Sequence, residues 1–146
     1  MHPFIKHLVD DHRVQRGLAM DLEKAHAPED RKRLRERLAD ELLLHMAGEE
    51  DSIFSLMRAS GDTAEEKALE ALQEHHVSRL VLRELLDLGL DSNVFSAKAA
   101  VLSELTDHHT EEEESEHFPW LEKHASKEKL DGLFDDYRKS EKAAAK

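Results

Sequence analysis

The chain has 146 residues, enough for one domain with a buried core, and 37% of them are charged. Its formal net charge of -12 disfavours a nucleic-acid partner, because a phosphate backbone attracts basic surfaces. The sequence has no cysteine, which excludes disulfides, thiolate catalysis, iron–sulfur clusters and zinc-finger ligation, so that any metal must be bound through nitrogen and oxygen.

The first residues do not resemble an export signal. Residues 1–12 carry charges where a signal peptide needs an apolar centre. Elsewhere in the sequence, no apolar run is long enough to span a bilayer. We therefore expect a cytoplasmic protein that does not bind membranes.

The predicted helices follow one another with few breaks. A composition rich in Ala, Leu, Glu, Lys and Arg favours helix almost throughout. Thr63 to Glu66 forms a capping box before the third helix, Pro119 ends or kinks the fourth, and Ser126 caps a shorter fifth. The predicted helices span about residues 3–26, 28–58, 63–89, 92–119 and 126–137, with a frayed tail over residues 142–146.

Apolar residues recur every three or four positions in the first four helices, which is typical of helices that bury one stripe in a core. Short connections between four such helices predict an all-α fold, an antiparallel up-down-up-down four-helix bundle with a short C-terminal fifth helix. We assign residues 1–125 to the bundle and residues 126–146 to the short C-terminal helix and the tail.

Polar residues within the apolar stripes repeat along the chain. The repeated pattern is a single histidine followed by a His-x-x-x-Glu motif. Its two copies are His12, His45 and Glu49 in the first half, and His75, His109 and Glu113 in the second. Corresponding members are 63 or 64 residues apart, which indicates two similar helical hairpins.

The spacing within each motif has a chemical consequence. Residues four apart on a helix lie on one face, about 5–6 Å apart at Cβ, so that each His-x-x-x-Glu pair can reach one centre. Two glutamates that face each other in a core repel and are costly to bury unless cations neutralise them. One such motif alone is more often a surface pair. Two in register, each preceded by a matching histidine, favour a buried two-metal site, and they favour His75 and His109 over the adjacent His76 and His108.

Four stretches resemble the hemerythrin-like (HHE cation-binding) family: LVDDH ending at His12, HMAGEEDSIF from His45, QEHHV around His75, and HTEEEESEHFPWL from His109. The resemblance covers about residues 4–122 and has the bacterial order H…HxxxE…H…HxxxE. It implies a non-haem di-iron site with two carboxylate bridges and a solvent-derived oxo or hydroxo bridge. The implied ligands are His12 and His45 for one iron, His75 and His109 for the other, and Glu49 and Glu113 for both.

The sequence departs from the oxygen-carrying hemerythrins at two positions. Those proteins have a second histidine four residues after the ligand of the third helix, where this chain has Arg79. They have an aspartate five residues after the histidine of the fourth helix, where this chain has Glu114, with Glu113 one residue earlier. The missing histidine leaves the irons more open, or completed by water or another side chain. The comparison therefore favours the bacterial and sensor-like members. Within the acidic run 111–114, only Glu113 is expected inside.

Further side chains are expected around the ligands. Gln15 and Ser78, one turn beyond the single histidines, either hydrogen-bond a bound oxygen species or bond each other. Arg79, like Arg16, either extends to solvent or pairs with a glutamate that adjoins a ligand. His117, one turn after the last ligand, either faces the pocket or is a partly buried residue near the end of the bundle.

A site of this kind predicts redox chemistry with small molecules. We expect two irons that bind or react with O2, H2O2 or NO. Two enzyme-like outcomes follow, namely peroxide disproportionation and oxidation of ferrous iron by O2. Two alternatives stay open at this point: a sensor or iron-handling protein that binds without turnover, and a zinc or manganese protein whose metal is structural. The sequence identifies no protein partner.

Overall fold

The computed structural model describes residues 1–145, and all regular secondary structure in that part of the chain is helical, with no β-strand. Within that part of the chain, every helix is too short or too polar to span a lipid bilayer. In chain order the elements are α1 (Pro3–Lys24), α2 (Pro28–Glu50), α3 (Ile53–Ala59), α4 (Asp62–Asp87), α5 (Phe95–Glu112), a π-helical segment (Glu113–His117, the π segment), α6 (Phe118–His124) and α7 (Lys127–Ala144).

The four long helices α1, α2, α4 and α5 form the helical bundle, which confirms the predicted fold class. α1 packs against α2 and α5, and α4 packs against α2 and α5. Short connections make α1–α2 and α4–α5 helical hairpins, as the internal repeat predicted. The short helix α3 lies against α4, while α7 packs along α2 and also contacts α1.

Two apolar clusters fill the bundle, one on either side of a polar layer. On α1, the buried apolar residues between positions 4 and 8 belong to the first cluster and those between positions 18 and 22 belong to the second. His12 and Gln15 lie between these two stretches and are also buried. The first cluster is completed by α3, α6, α7 and the start of α4, and the second by parts of α2, α4 and α5. The buried histidines and glutamates therefore lie in a layer that is closed on both sides by apolar side chains.

The predicted second helix is interrupted, which the sequence pattern did not indicate. α2 ends at Glu50 and α3 begins at Ile53, so the prediction of one helix to about residue 58 was wrong at Asp51 and Ser52. The Ser52 hydroxyl is buried and donates to the Gly48 carbonyl at 2.6 Å. Such a bond from serine to the preceding turn competes with the regular helical hydrogen bonds.

Two predicted helix starts also shift. α4 begins at Asp62 rather than at the predicted capping box, and its N-cap residue is Gly61, which has no side chain to cap the helix. Gly61 has φ 69°, a left-handed conformation that glycine adopts easily and that sets the start of the helix. α5 begins at Phe95 rather than near residue 92, because the Ser92 hydroxyl accepts from the amide of Val94 within a turn and does not cap the helix.

Pro119 does not end the fourth helix. Instead the backbone widens into the π segment over Glu113–His117 and then continues as α6 through Pro119. Proline has no N–H and its ring collides with the carbonyl four residues earlier in a regular α-helix. A short π segment accommodates both effects, since its hydrogen bonds run from residue i to i+5.

The C-terminal helix is longer than predicted. α7 runs from Lys127 to Ala144, so the prediction that it ends near Tyr137 was wrong, as was the prediction of a frayed tail over residues 142–144. The last residue of that predicted tail, Lys146, lies outside the described residues. Ser126 caps α7 as predicted, and its hydroxyl accepts from the amide of Lys129 at 3.0 Å.

Candidate metal centre

Four histidines and two glutamates meet in the polar layer. Every one of them is at least nine-tenths buried. They are His12 on α1, His45 and Glu49 on α2, His75 on α4, His109 on α5 and Glu113 in the π segment. These are the six residues that the repeat singled out, and the bundle brings all of them together.

The six residues form two overlapping groups. Within each group, one possible ligand atom from each residue lies within 4.8 Å of all the others. The first group is His12, His45, Glu49 and Glu113, and the second is His75, His109, Glu49 and Glu113. Both glutamates belong to both groups, which is the arrangement expected of carboxylates that bridge two ions.

The distances show how the glutamates are shared. Glu49 lies 3.2 Å from His45 Nε2 and 3.3 Å from His75 Nε2. Glu113 lies 2.9 Å from His12 Nε2 and 3.4 Å from His109 Nε2. Each carboxylate therefore contacts one histidine of each group through its two different oxygens.

These close contacts leave polar atoms unsatisfied. Among the described residues, neither oxygen of Glu49 or Glu113 has a hydrogen-bond partner, and the same is true of Nε2 of His12 and His45. The approaches are short but lack hydrogen-bond geometry. His75 Nε2 and His109 Nε2 also face each other at 2.9 Å. Buried polar atoms normally have partners, and a set of lone pairs that converge on common points fits bound cations.

The opposite nitrogen of each histidine is fixed by a carboxylate outside the cluster. In each case Nδ1 donates to the carboxylate, which leaves the Nε2 lone pair turned toward the centre. The pairs are His12 with Glu114 at 2.7 Å, His45 with Asp11 at 3.0 Å, His75 with Glu50 at 2.7 Å and His109 with Glu74 at 3.0 Å.

Sequence reasoning missed most of this outer set. Asp11 and Glu74 each precede a single histidine of the repeat by one residue, and Glu50 and Glu114 each follow a shared glutamate by one. The same 63- and 64-residue offsets relate them, so the repeat contained a signal for them. The prediction that only Glu113 of the acidic run 111–114 lies inside was wrong for Glu114, because its carboxylate is partly buried against His12.

The two arginines pair with these carboxylates, one of the two options left open by the sequence. Arg16 lies 2.6 Å from Glu114, and Arg79 contacts both oxygens of Glu50 at 2.7 and 2.9 Å. Arg79 occupies the position of the histidine found in oxygen carriers. Here it binds Glu50, the carboxylate that accepts from His75 Nδ1, and it does not enter the centre.

Other predicted residues lie near the centre in different roles. Gln15 and Ser78 are buried on the inner face, as the stripe predicted. The side-chain nitrogen of Gln15 has no hydrogen-bond partner within residues 1–145. His117 is fully buried rather than partly buried, and it belongs to neither of the two ligand groups.

Tyr137 of α7 makes the two halves of the centre different. Its hydroxyl donates to Asp11 at 2.7 Å and lies 2.9 Å from His45 Nδ1. Its ring packs directly on Gly48, where an added Cβ would lie 2.5 Å from the ring carbons. The sequence contained one signal for this role: Tyr137 is the only tyrosine of the chain, on the same helical stripe as Leu130 and Leu133.

Paired charges control the electrostatics of the layer. Burial disfavours a protonated His45, but the carboxylates of Glu49 and Asp11 outweigh that effect and raise the pKa of His45 to about 10. The same opposition raises the pKa of His12, and raises that of His109 well above its ordinary value. Despite burial, the neighbouring histidines hold the pKa of Glu49 well below its usual value. The layer therefore requires positive charge, supplied by protons on the imidazoles or by cations that replace them.

The sequence model of a family described as Hemerythrin HHE cation binding domain matches residues 4–138. The chain belongs to this family. No curated protein and no solved structure matches it significantly. The match extends past the predicted 4–122 and includes Tyr137. This hemerythrin HHE protein is thus a helical metal-binding domain, and its buried histidine and glutamate cluster fits a metal site.

Proposed function

We propose that this hemerythrin HHE protein binds two iron ions between Glu49 and Glu113 and that it binds or reacts with O2, H2O2 or NO there. The observation that carries the proposal is the sharing of the two glutamates. Each of them contacts a histidine of each group at between 2.9 and 3.4 Å. A carboxylate in that position can bind two ions at once, and two such carboxylates need two cations to neutralise them when buried.

In this proposal the chain supplies four atoms to each ion. For each ion, two imidazole nitrogens come from the two helices of one hairpin, and one oxygen comes from each glutamate. The ligands are His12, His45, Glu49 and Glu113 for one ion, and His75, His109, Glu49 and Glu113 for the other. A set of four protein ligands would allow a small molecule to bind each iron as well. When bound, iron would supply redox chemistry, since each ion can change between the ferrous and the ferric state.

The surrounding residues hold the ligands in their reactive form. The hydrogen bonds from Nδ1 to the outer carboxylates point each Nε2 toward the centre and prevent the ring from turning. Arg16 and Arg79 stabilise two of the tethering carboxylates as anions. The apolar clusters on both sides exclude bulk water from the layer. These features favour reaction with small neutral molecules that can enter a closed site.

Iron is proposed over zinc or manganese because the chain belongs to a hemerythrin-type family, whose domains typically bind iron. The ligand set of imidazoles and carboxylates suits all three metals. A structural zinc site would be colourless and would not exchange electrons, which separates this alternative from the iron proposal in one absorption spectrum.

Binding without turnover is a second candidate, and Tyr137 favours it. Its hydroxyl contacts both Asp11 and the tethered nitrogen of His45, so a change at that histidine reaches α7 directly. A sensor needs a contact of this kind between its ligand site and a movable element. In that case metal or ligand binding alters the docking of α7, with no product formed.

Release of O2 from H2O2 tests turnover. Iron-reconstituted protein is mixed with H2O2, and evolved O2 is measured beside the absorption spectrum. Disproportionation yields one O2 for every two H2O2. We expect His75→Ala to lose metal and activity and His76→Ala to keep both, since the first ring is buried in the cluster and the second is exposed. Equal losses from both variants contradict the ligand assignment. A reversible spectral change without O2 supports binding without turnover.

A further inference from the structure

A buried histidine interrupts the internal repeat of the chain. The 64-residue offset that relates Glu49 to Glu113 places Ile53 opposite His117. Ile53 is fully buried in an apolar cluster, and His117 is only 2% exposed. Neither ring nitrogen of His117 has a hydrogen-bond partner in the described part of the chain, although a buried imidazole normally has one. Apolar packing accounts for a buried isoleucine at position 53, but it does not account for a buried imidazole whose two nitrogens have no partner among residues 1–145.

Two glutamates of the same helical stretch lie near this ring. One possible ligand atom from each of Glu112, Glu116 and His117 lies within 4.8 Å of the other two. The π segment assists this arrangement, because its i to i+5 hydrogen bonding brings residues five apart onto one face. The side chain of Glu112 is 15% exposed and that of Glu116 is 50% exposed. The cluster therefore extends from the interior to the surface.

A positive charge already lies beside these carboxylates. Lys67 Nζ of α4 is 3.1 Å from Glu116 and 3.7 Å from Glu112. A cavity of about 260 Å³ opens here, and its lining includes Lys67, Glu116, His117 and Trp120. The ammonium group neutralises the oxygens but leaves the imidazole without a partner. A metal ion from the cavity can use both kinds of ligand.

The cluster is distinct from the paired centre. Phe54 contacts the rings of both His75 and His117, with ring centroids 5.3 Å and 6.1 Å apart respectively. His117 is not a member of either group that shares Glu49 and Glu113. An ion bound at His117 would therefore be an additional ion and not one of the buried pair.

We propose that Glu112, Glu116 and His117 form a third, mononuclear site for a divalent transition-metal ion, which displaces Lys67 when it binds. One imidazole and two carboxylates suit Fe2+, Mn2+, Co2+ or Zn2+ better than Mg2+ or Ca2+, which prefer oxygen alone. Since the cluster reaches the surface, this site exchanges its ion more readily than the buried pair does. It does not depend on which metal the buried pair binds.

Titration with Co2+ tests the third site. The protein is first loaded with ferric iron, its iron content is measured, and Co2+ is then added while heat and the visible spectrum are recorded. We expect one further Co2+ per chain. His117→Ile, which restores the residue of the other half of the repeat, is expected to weaken this binding by at least about tenfold, with iron content unchanged. Lys67→Gln is expected to strengthen it, because the competing ammonium is gone.

A charge-matched pair of variants separates ligation from general surface charge. Glu116→Gln and Glu111→Gln remove the same charge from the same stretch, but only Glu116 belongs to the cluster. We expect weaker Co2+ binding in the first and unchanged binding in the second. Equal behaviour of the two, or no additional Co2+ on the unaltered protein, overturns the proposal. The ring protons of His117 provide a test without substitution: Co2+ should shift their resonances strongly, and unshifted resonances at saturation also overturn it.

Discussion

Each histidine of the metal centre has two nitrogens with different tasks. Nδ1 donates to a carboxylate at 2.7 to 3.0 Å, and Nε2 faces the shared glutamates. Without the carboxylate, either tautomer would be accessible and the ring could turn. The tether fixes the tautomer whose inward nitrogen has a free lone pair, and it also makes that nitrogen a stronger donor to a metal.

Loss of one tether should therefore weaken metal binding while leaving the ligands in place. In Glu114→Gln, the amide no longer stabilises His12 as a carboxylate does, and the ion pair with Arg16 is lost. We expect metal affinity to fall by about 10- to 100-fold, as measured by competition with a chelator. Glu111→Gln, three residues earlier and exposed, is the control and should bind like the unaltered protein. An unchanged affinity in Glu114→Gln would show that the tether has no such role.

The pKa shifts predict how the metal-free protein responds to pH. His45 has a folded-state pKa of about 10 against an ordinary 6.5, and the pKa of His12 and His109 is raised as well. Their contribution to stability is complete below pH 6.5 and is lost as pH rises toward 10. Glu49 has a lowered pKa, so its contribution is present above the ordinary 4.5 and is lost as pH falls below it.

The metal-free protein should thus be most stable between about pH 4.5 and 6.5, the two ordinary pKa values, and should lose stability from pH 6.5 to 10. Metal binding reverses this trend, because the histidines must release their protons and affinity rises with pH. Urea denaturation across this pH range measures how the free energy of unfolding changes with pH, both without metal and with metal bound. A metal-free protein that gains stability up to pH 10 would contradict the assigned protonation states.

At the scale of elements, α7 and the π segment distinguish the two otherwise similar hairpins. α7 covers only the half of the centre that contains His45, through the hydroxyl of Tyr137. The ring of Tyr137 packs against Gly48, where the absence of a side chain leaves room for the ring. The π segment follows α5 in the second hairpin and contains Glu113 and His117.

Two variants test the role of α7. Tyr137→Phe removes the hydrogen bond to Asp11 and should cost about 1.5–3 kcal/mol of stability, the usual range for a hydrogen bond to a charged group. Gly48→Ala places a Cβ within 2.5 Å of the ring, and the resulting displacement of α7 should cost about 1–3 kcal/mol. Thermal unfolding measures both. Gly17→Ala is the control, since its Cβ meets no atom within 4 Å. If Gly48→Ala is no less stable than Gly17→Ala, α7 does not pack as described.

The elements also show what the sequence could and could not predict. The helical stripes and the six inward residues were predictable, because a three-to-four spacing fixes which side of a helix is buried. The interruption at Ser52 was not, since it depends on a tertiary position that buries a serine hydroxyl. The π segment was not either, because Pro119 alters hydrogen bonds that lie several residues before it. The role of Tyr137 was missed because α7 has no counterpart in the repeat.

At the scale of the whole molecule, the candidate metal centre links the four long helices within the polar layer of the bundle. The layer joins α1, α2, α4 and α5, and its buried carboxylates repel each other unless positive charge lies between them. Bound metal supplies that charge in a form that all four helices share. Metal binding to the folded chain should therefore increase its stability by mass action.

Removal of metal tests this coupling. At a free metal concentration of 100 times Kd, one site adds about 2.7 kcal/mol, which corresponds to a rise in Tm of roughly 5–10 °C for a chain of this size. We expect a chelator to lower Tm by at least this amount in the unaltered protein. In His109→Ala the same treatment should lower Tm by less, because one of the two groups lacks a ligand while the group of His12 and His45 stays complete. A Tm that does not respond to the chelator would mean that the metal does not link the helices.

The metal content per chain tests the paired metal site most directly, and it is measured together with the absorption spectrum on untagged protein grown in iron-rich medium. The two groups that share Glu49 and Glu113 predict two irons per chain and ferric bands in the near ultraviolet. Zinc in place of iron, a single ion, or no metal even after anaerobic reconstitution with ferrous iron would contradict the proposed di-iron function, although the bundle itself would stand.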